Sequence, residues 1–405
     1  EISCSLVGSE MCIRDRGKEE SLLRRHPWVF SGAIDYVKAE SEEEIAEGAV
    51  VDVFGKSGDF LARGHFQIGS IAVRVLSFRQ EEIDAAWWRD RIAAAYALRR
   101  TLGLTDSGET TCYRLVHGEG DSLPGLVVDV YGTTAVVQCH SVGMYRSRLQ
   151  IADALLACFG SRITAVYDKS SQTVPFNARL GAVDGYLRGA ASVPLTVREN
   201  GLRFLVNWEA GQKTGFFLDQ RENRELVRRY AAGRTVLNTF CYTGGFSVYA
   251  LAGGAVEVCS VDSSERAVAL ADENVRLNFG PEAKHTSLAA DAVEHLRDIG
   301  DRYDLIILDP PAFAKHHKVL GNAMQGYRRL NARAIAQIRP GGILFTFSCS
   351  QAVSKELFRT TVFSAAAQAG RRVRILHQLT QPADHPINIY HPEGEYLKGL
   401  VLYVE

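Results

Sequence analysis

The most informative stretch of this chain is VLNTFCYTGGFSVYALAGGAVEVCSVD, residues 236–262. An apolar strand pattern runs into a turn that contains Gly244 and Gly245, and a helical segment and a second strand pattern ending at Asp262 follow. Glycines in such a turn let a ligand approach the backbone, and the helix N-terminus offers free N–H groups. A carboxylate about 20 residues further on is where dinucleotide-type folds hold a ribose. The segment predicts a nucleotide-type site; a packing turn, with Asp262 capping the next helix, is the alternative.

The same alternation of strand and helix patterns continues from Val197 to the end of the chain. Asp291 follows one short strand pattern, and Asp309 ends the strand pattern DLIILD. Strands that alternate with helices of this length predict an α/β fold with a mostly parallel sheet. Because ligands bind at the carboxyl ends of strands in open α/β sheets, we expect Asn238, Asp262, Asp291 and Asp309 at one edge.

The glycine pattern also bears on the kind of cofactor. A dehydrogenase would carry G-x-G-x-x-G, whereas this turn reads TGGF. GQKTG at 211–215 does not fit the G-x-x-x-x-G-K-[ST] pattern of a nucleoside triphosphate loop. NAD and ATP are therefore disfavoured, and S-adenosylmethionine is the expected cofactor.

Three domains and a tail are predicted along the chain. Residues 1–16 read EISCSLVGSEMCIRDR, which resembles a translated sequencing-adapter artefact and is expected to be foreign or disordered; a natural tail is the alternative. Residues 17–80 contain short strand patterns with glycine turns and predict a β-rich module. Residues 81–188 predict an α+β domain, and residues 189–405 the α/β domain.

Composition excludes several classes of protein. The 405 residues are 46% hydrophobic with a net charge of −1, so a nucleic-acid partner would need a local basic face. No apolar run reaches the roughly 18 residues of a membrane span. The eight cysteines include no C-x-x-C pair, and His316-His317 has no spaced partner. We therefore expect a reduced, cytoplasmic protein without a metal.

Several motifs carry a resemblance to a known family. NTFCYTGGF (238–246), SVDSSERAVALADENVRLN (260–278), ILDPPAF (307–313), TFSCS (346–350), HPEGEYLKG (391–399) and GQKTGFFLDQRENR (211–224) are the segments concerned. They resemble class I methyltransferases that form 5-methylcytosine in bacterial large-subunit ribosomal RNA. The resemblance implies a Rossmann-like methyltransferase domain, an N-terminal PUA pseudobarrel, S-adenosylmethionine as cofactor and ribosomal RNA as partner.

The chemistry of cytosine methylation points to two residues. C5 of cytosine is a poor nucleophile unless a thiolate adds at C6 and an acid interacts with N3. Cys349 ends the strand pattern after that of Asp309, so Cys349 is the expected nucleophile and Asp309 the N3 partner. A buried cysteine without a catalytic role is the alternative, and Cys241 and Cys259 are expected to be structural. Ala312 follows Pro311, so a Pro-Cys nucleophile is excluded.

The remaining expectations concern contacts with cofactor and RNA. The residues expected to bind the cofactor are Asn238, Phe240, Tyr242, Thr243, Gly244, Gly245, Asp262, Ser263, Asp291 and Asp309, with Thr214 and Gln220 in a lid. Those expected to contact RNA are Arg63, His65, Arg221, Arg224 and Lys315; a solvated basic face is the alternative. Two other functions stay open: a methyltransferase acting on a guanine nitrogen of ribosomal RNA, and a non-catalytic RNA-binding or assembly protein.

Overall fold

The computed structural model describes residues 9–13, 19–38, 45–313 and 320–405, and these form two compact units. The first unit comprises the described parts of Glu1–Leu195, together with Val206–Phe216 and Ala383–Gly394. The second comprises Thr196–Leu205, Phe217–Pro382 and Glu395–Glu405. Residues 189–195 and two later segments of the predicted 189–405 domain thus belong to the first unit.

Hydrogen bonds within the first unit explain why it takes up these two segments. Thr214 donates its hydroxyl hydrogen to Oδ2 of Asp129 at 2.6 Å. Asp384 accepts at Oδ2 from the backbone N–H of Arg114 at 2.9 Å, and its carbonyl accepts from Nη2 of Arg99 at 2.7 Å. Buried polar groups need such partners, so they fix where these later parts of the chain lie.

A six-stranded sheet forms the N-terminal part of the first unit, in the order β2-β6-β5-β4-β1-β3. Its elements are β1 (Ser9–Ile13), α1 (Glu20–Leu23), β2 (Trp28–Phe30), β3 (Ile34–Lys38), β4 (Val50–Phe54), β5 (Phe60–Phe66) and β6 (Ile71–Ser77). A small core that includes Val51, Val53, Val73 and Val75 lies against it. The predicted β-rich module is present.

The expectation of a disordered tail is wrong for Ser9–Ile13. This strand pairs parallel with β4 and antiparallel with β3, so its backbone groups have partners on both sides. Paired backbone groups hold a strand in a sheet whatever the origin of its sequence.

The rest of the first unit is an α+β arrangement. Its elements are α2 (Ala85–Thr101), β7 (Cys112–His117), β8 (Leu126–Tyr131), β9 (Thr134–Cys139), α3 (Val142–Arg146), α4 (Arg148–Phe159), β10 (Ala165–Asp168) and β11 (Gly185–Arg188). The five strands lie in the order β11-β10-β9-β8-β7, with Trp88 and Ile92 of α2 fully buried in the adjoining core. Asp84 caps α2 by accepting the backbone N–H of Trp87 at 2.8 Å.

The second unit is built around a seven-stranded sheet in the order β16-β15-β14-β17-β18-β20-β19. The elements from 195 onward are β12 (Leu195–Glu199), β13 (Leu202–Val206), α5 (Arg221–Tyr230), β14 (Thr235–Thr239), α6 (Gly245–Ala252), β15 (Glu257–Asp262), α7 (Glu265–Phe279), β16 (His285–Ala289), α8 (Ala292–His295), β17 (Leu305–Leu308), α9 (Leu320–Gln337), β18 (Gly342–Ser348), α10 (Lys355–Ala369), β19 (Val373–Thr380) and β20 (Lys398–Val404). Strands β14 to β18 are parallel, and β20 is antiparallel to both its neighbours. The predicted α/β fold is confirmed.

Alternation along the strands places a core on each face of this sheet. Leu237 and Ile306 belong to one core, and Val236 and Ile307 belong to the other. The strand order runs from β14 to β16 on one side and resumes with β17 on the other side of β14. In open α/β sheets, ligands bind at the carboxyl ends of the strands where the order reverses, which is here between β14 and β17.

Among the residues that the structure describes, no helix is both long enough and apolar enough to span a bilayer.

Candidate active site

The loop between β14 and α6, residues 240–244, forms the centre of the candidate cofactor site. Phe240, Tyr242 and Gly244 have φ angles of 55°, 46° and 74°. A Cβ built on Gly244 would lie 2.8 Å from the Cβ of Ala271, so glycine alone fits there without movement. The loop turns sharply and leads into the N-terminus of α6, as the glycine pattern predicts.

Asp262 fastens this loop to the end of β15. Its Oδ2 accepts the backbone N–H of Tyr242 at 2.9 Å, and its Oδ1 accepts that of Ser264 at 3.0 Å. Each carboxylate oxygen has a further lone pair for a ligand hydroxyl. The neighbouring Ser263 is exposed, and Ser264 caps α7 by accepting the N–H of Ala267 at 3.3 Å.

Asn238 lies beneath the loop and is fully buried. Its Nδ2 donates to Ser247 Oγ at 2.8 Å, and hydrogen bonds continue to Ser260 and to His285. Its Oδ1 has no hydrogen-bond partner among the described residues. A buried acceptor without a partner suits an N–H donor from a ligand, so the loop and this amide fit a nucleoside that carries an amino acid, such as S-adenosylmethionine.

The other residues expected to bind the cofactor are distributed over both units. The carbonyl of Thr243 accepts from Nδ2 of Asn274 at 2.9 Å, and a Cβ on Gly245 would lie 3.1 Å from Cδ of Arg224. Asp291 is exposed and caps α8, accepting the N–H groups of residues 293 and 294. Thr214 belongs to the first unit, where it is buried with its hydroxyl against Asp129, so its place at the cofactor stays a prediction.

Asp309 follows β17 and lies in a group of polar side chains. Nε2 of Gln220 donates to its Oδ2 at 3.1 Å, and Gln220 in turn accepts from Nδ2 of Asn223 at 2.6 Å. Burial and the negative charge of Asp219 raise the pKa of Asp309 to about 7. Asp219 itself accepts at Oδ2 from the hydroxyl of Tyr396 at 2.7 Å. Asp309 is thus held in place and is partly protonated near neutral pH.

Cys349 follows β18, the next strand of the sheet, and its thiol is partly buried. The serines on either side of it share one partner: Ser348 donates to the hydroxyl of Tyr327 at 2.9 Å, and Oγ of Ser350 lies 2.9 Å from that hydroxyl. Tyr327 comes from α9 and is fully buried. This triad of hydroxyls fixes the backbone on both sides of the thiol.

Lys398 also holds the turn that follows Cys349. Its Nζ donates to the carbonyl oxygens of Ser350 and Val353, both at 2.6 Å. Burial lowers the pKa of Lys398 to about 8, although the nearby Cys349 and Glu395 oppose this shift. A cation therefore lies within electrostatic reach of the thiol, and a nearby cation favours the thiolate form.

Register supports the proximity of Asp309 and Cys349. Leu308, the last residue of β17, pairs with Thr346 of β18. Parallel neighbours are about 4.8 Å apart, so Asp309 lies next to the position of Phe347, two residues before the cysteine. Both residues are thus at the same edge of the sheet.

Arg63 and His65 of the first unit are both buried, so their contact with RNA stays a prediction that the packing does not support. Arg63 is buried and pairs with the carboxylate of Asp52 at 2.5 and 2.7 Å. His65 is buried against Trp88 and Gly143, and burial lowers its pKa to about 4. Buried charges need a partner, so this arginine serves the packing of the module.

Arg221 and Arg224 of the second unit, which were also expected to contact RNA, are buried as well. Arg224 donates from Nε and Nη2 to the two carboxylate oxygens of Glu199, both at 2.8 Å, and from Nη1 to the carbonyl of Phe217. Arg221 is also buried, with its Nε 3.6 Å from Oε2 of Glu199. An ion pair inside the protein leaves neither guanidinium on the surface. Lys315 lies outside the described residues.

Sequence reasoning missed the groups that surround Cys349. Lys398 lies in the motif HPEGEYLKG, whose resemblance to a family gave no role to single residues. Tyr327 lies inside an ordinary amphipathic helix pattern. The pairing of β20 beside β18, which aligns Lys398 with Ser348, is a long-range contact that no local pattern reveals.

Comparisons with known proteins agree with this geometry. The model of the S-adenosylmethionine-dependent methyltransferase family matches residues 170–391, and that of the PUA-like domain matches residues 15–78. The structure of SMU.776 complexed with SAH has a TM-score of 0.82 at 24% identity and covers 98% of this chain and 100% of that chain. At this identity the likeness concerns the fold alone.

Two relatives match almost the whole chain. "Ribosomal RNA large subunit methyltransferase I" of Erwinia tasmaniensis is 42% identical over 396 residues, which cover 96% of this chain and 98% of the relative. The protein of the same name from Tolumonas auensis is 42% identical over 394 residues, covering 96% and 97%. The expectation of S-adenosylmethionine as cofactor is confirmed. The chain therefore belongs to the S-adenosylmethionine-dependent methyltransferase family and carries a PUA-like domain on its N-terminal side.

Proposed function

We propose that this protein forms 5-methylcytosine in large-subunit ribosomal RNA, with Cys349 as a covalent nucleophile and Asp309 as the acid at N3. The observation that carries the proposal is the contrast between two neighbouring strand ends: a carboxyl group with a raised pKa after β17, and a thiol near a buried ammonium after β18. A pair of groups whose surroundings favour opposite protonation states is typical of an acid and a nucleophile.

Two features support RNA as the substrate. The relatives that match nearly the whole chain are named for methylation of large-subunit ribosomal RNA. The PUA-like domain is the second feature, because the PUA fold was expected here as an RNA-binding module. Ribosomal RNA as substrate would place the reaction in the cytoplasm of a bacterial cell.

The first chemical step is the attack of the Cys349 thiolate on C6 of the target cytosine. A sulfur–carbon bond forms, the C5–C6 double bond opens, and its electron pair makes C5 nucleophilic. Lys398 favours the thiolate by its charge and also holds the carbonyls of Ser350 and Val353. The turn that carries the cysteine is thereby held in place, with a cation near the thiol.

Asp309 is suited to the acid role during this attack. Negative charge develops toward N3 as the thiolate adds, and a protonated carboxyl group can donate to that nitrogen. A pKa of about 7 keeps a large fraction of Asp309 protonated at neutral pH. Gln220, which donates to Oδ2, orients the carboxyl group.

The cofactor would be held by the loop of residues 240–244, by Asp262 and by Asn238. When bound, S-adenosylmethionine supplies an electrophilic methyl group to C5. A base then takes the C5 proton, the double bond re-forms and the thiolate of Cys349 leaves. The cysteine is regenerated at the end of the cycle.

Nucleoside mass spectrometry tests the proposal. Large-subunit ribosomal RNA from cells that lack this activity is incubated with the full chain and methyl-labelled S-adenosylmethionine, then digested. We expect labelled 5-methylcytidine with the wild type and none with Cys349→Ser. Cys158→Ser is the matched control, because Cys158 is also partly buried but lies in the first unit. Labelled methylguanosine, or full activity of Cys349→Ser, would overturn the proposal.

A further inference from the structure

A second cluster of ligand-type side chains lies in the first unit, and the proposed methyl transfer does not use it. It consists of His26, His391 and Glu393. Oε2 of Glu393 is 3.7 Å from Nε2 of His26 and 3.8 Å from Nε2 of His391. The ligand atoms of all three residues lie within 4.8 Å of one another. Two imidazoles and a carboxylate thus converge from distant parts of the sequence.

His391 is the unusual member of this cluster. Its side chain is 3% exposed, and neither ring nitrogen has a hydrogen-bond partner among the described residues. The indole of Trp28 covers it, with ring centroids 4.3 Å apart. An unsatisfied buried polar group destabilises the folded protein, so such a ring calls for a water or an ion.

The hydrogen bonds of His26 suit a metal ligand. Nδ1 of His26 lies between the backbone N–H of Trp28, at 3.2 Å, and the carbonyl of Trp28, at 3.3 Å. In the tautomer that donates to this carbonyl, Nε2 keeps its lone pair toward Glu393. Metal-bound histidines commonly make such a bond to a backbone carbonyl.

Hydrogen bonds within the first unit hold the turn that carries His391. The N–H of His391 donates to the carbonyl of Asn388 at 2.8 Å, and Nδ2 of Asn388 donates to the carbonyl of Glu119 at 3.1 Å. Glu119 also accepts at Oε1 from Nε1 of Trp28 at 2.8 Å. These bonds tie the turn to the strand that follows His26, so the ligands are already close.

We propose that His26, His391 and Glu393 bind one divalent transition-metal ion, represented by Zn²⁺, through two imidazole nitrogens and one carboxylate oxygen. Zinc takes such sets at about 2.0–2.2 Å, which separates tetrahedral ligands by about 3.4 Å, and a water can complete the shell. The two measured separations exceed this by a few tenths of an ångström, within reach of side-chain rotation. The ion would clamp the 383–394 segment to the β-rich module. The sequence-based expectation of no metal considered cysteine spacing and neighbouring histidines, neither of which detects ligands so far apart.

Titration of the untagged, metal-stripped full chain with Zn²⁺ by calorimetry tests this proposal, with Co²⁺ absorption as a readout of coordination. We expect one tight site per chain, a tetrahedral Co²⁺ spectrum, and a rise in melting temperature with Zn²⁺. His391→Ala should weaken binding at least about 10- to 100-fold. Glu393→Gln should also weaken it, and because the Glu393 side chain is 49% exposed this variant is expected to fold if His391→Ala does not.

His295→Ala is the matched control, since His295 is a partly buried histidine of the second unit. It should bind Zn²⁺ as the wild type does. Absence of a stoichiometric site in the wild type would overturn the proposal, as would equal affinity of the wild type and Glu393→Gln. Neither result depends on methyl transfer.

Discussion

The ends of β17 and β18 are neighbours in one sheet, yet their surroundings are electrostatically opposite. Asp309 follows β17 and faces burial and the charge of Asp219, which raise its pKa to about 7. Cys349 follows β18 and has the buried ammonium of Lys398 within electrostatic reach. The contrast shows that neighbouring strand ends can place opposite charges beside their reactive groups, an anion beside the carboxyl group and a cation near the thiol.

Removing the thiol is the change with the largest expected effect. Cys349→Ser should lower the rate of cytosine methylation by at least about 10⁴-fold, because a serine hydroxyl is not ionised near neutrality. S-adenosylmethionine affinity, measured by calorimetry, should change little. A Cys349→Ser variant that retains a rate within tenfold of the wild type would contradict the role of Cys349 as the covalent nucleophile.

The next largest effect concerns the acid. Asp309→Asn should lower the single-turnover rate by about 10²- to 10⁴-fold. In the wild type the protonated carboxyl is the active form, so the rate should fall as pH rises through about 7. This limb of the pH profile should be absent in Asp309→Asn.

Asp219→Asn gives a finer test of the acid role of Asp309, which follows β17. The charge of Asp219 raises the pKa of Asp309, so removing that charge should lower this pKa. The alkaline fall in rate should then move to lower pH, with the acid limb unchanged. An unshifted profile would mean that Asp309 does not act through its proton.

Lys398→Met tests the role of the cation near Cys349, which follows β18. Losing both its charge and its hold on two carbonyls should lower kcat by up to about 100-fold, with a smaller effect on KM. Alkylation of Cys349 by iodoacetamide should require a higher pH. Lys355→Met is the control, because Lys355 is half exposed and pairs with Glu395. If alkylation of Cys349 has the same pH dependence in both variants, the charge of Lys398 does not favour the thiolate.

The smallest effect is expected from Tyr327→Phe. The change deletes the hydroxyl that joins Ser348 and Ser350 and keeps the buried ring. The loss of such hydrogen bonds should lower the rate by about 2- to 10-fold. The pH profile should keep its shape, since burial raises the pKa of the Tyr327 hydroxyl above its usual value near 10, outside the range of the profile. A changed pH profile would contradict a purely positioning role.

Much of the second unit could be predicted from local patterns. The glycine turn, the strand that ends at Asp262 and the positions of Asp309 and Cys349 follow from periodicity and chain order, because parallel strands place their carboxyl ends together. Lys398 could not be placed this way. It reaches the turn after Cys349 only because β20 inserts antiparallel beside β18.

The burial of two arginines, by contrast, could not be predicted from local patterns. Arg63 and Arg224 look like surface cations in sequence, and each turns out to be buried with one carboxylate. Their partners, Asp52 and Glu199, lie in strands β4 and β12, and composition gives no sign of such pairings. Charge alone predicts neither exposure nor RNA contact.

Trapping of the covalent adduct tests the central claim most directly. Large-subunit ribosomal RNA transcribed with 5-fluorocytidine cannot release the C5 substituent as a proton, so the thioether to the enzyme would persist after methyl transfer. We expect a denaturant-stable protein–RNA adduct that depends on S-adenosylmethionine and maps to the peptide containing Cys349. Methylation of ordinary RNA by a protein that forms no such adduct, or an adduct at another cysteine, would contradict the account.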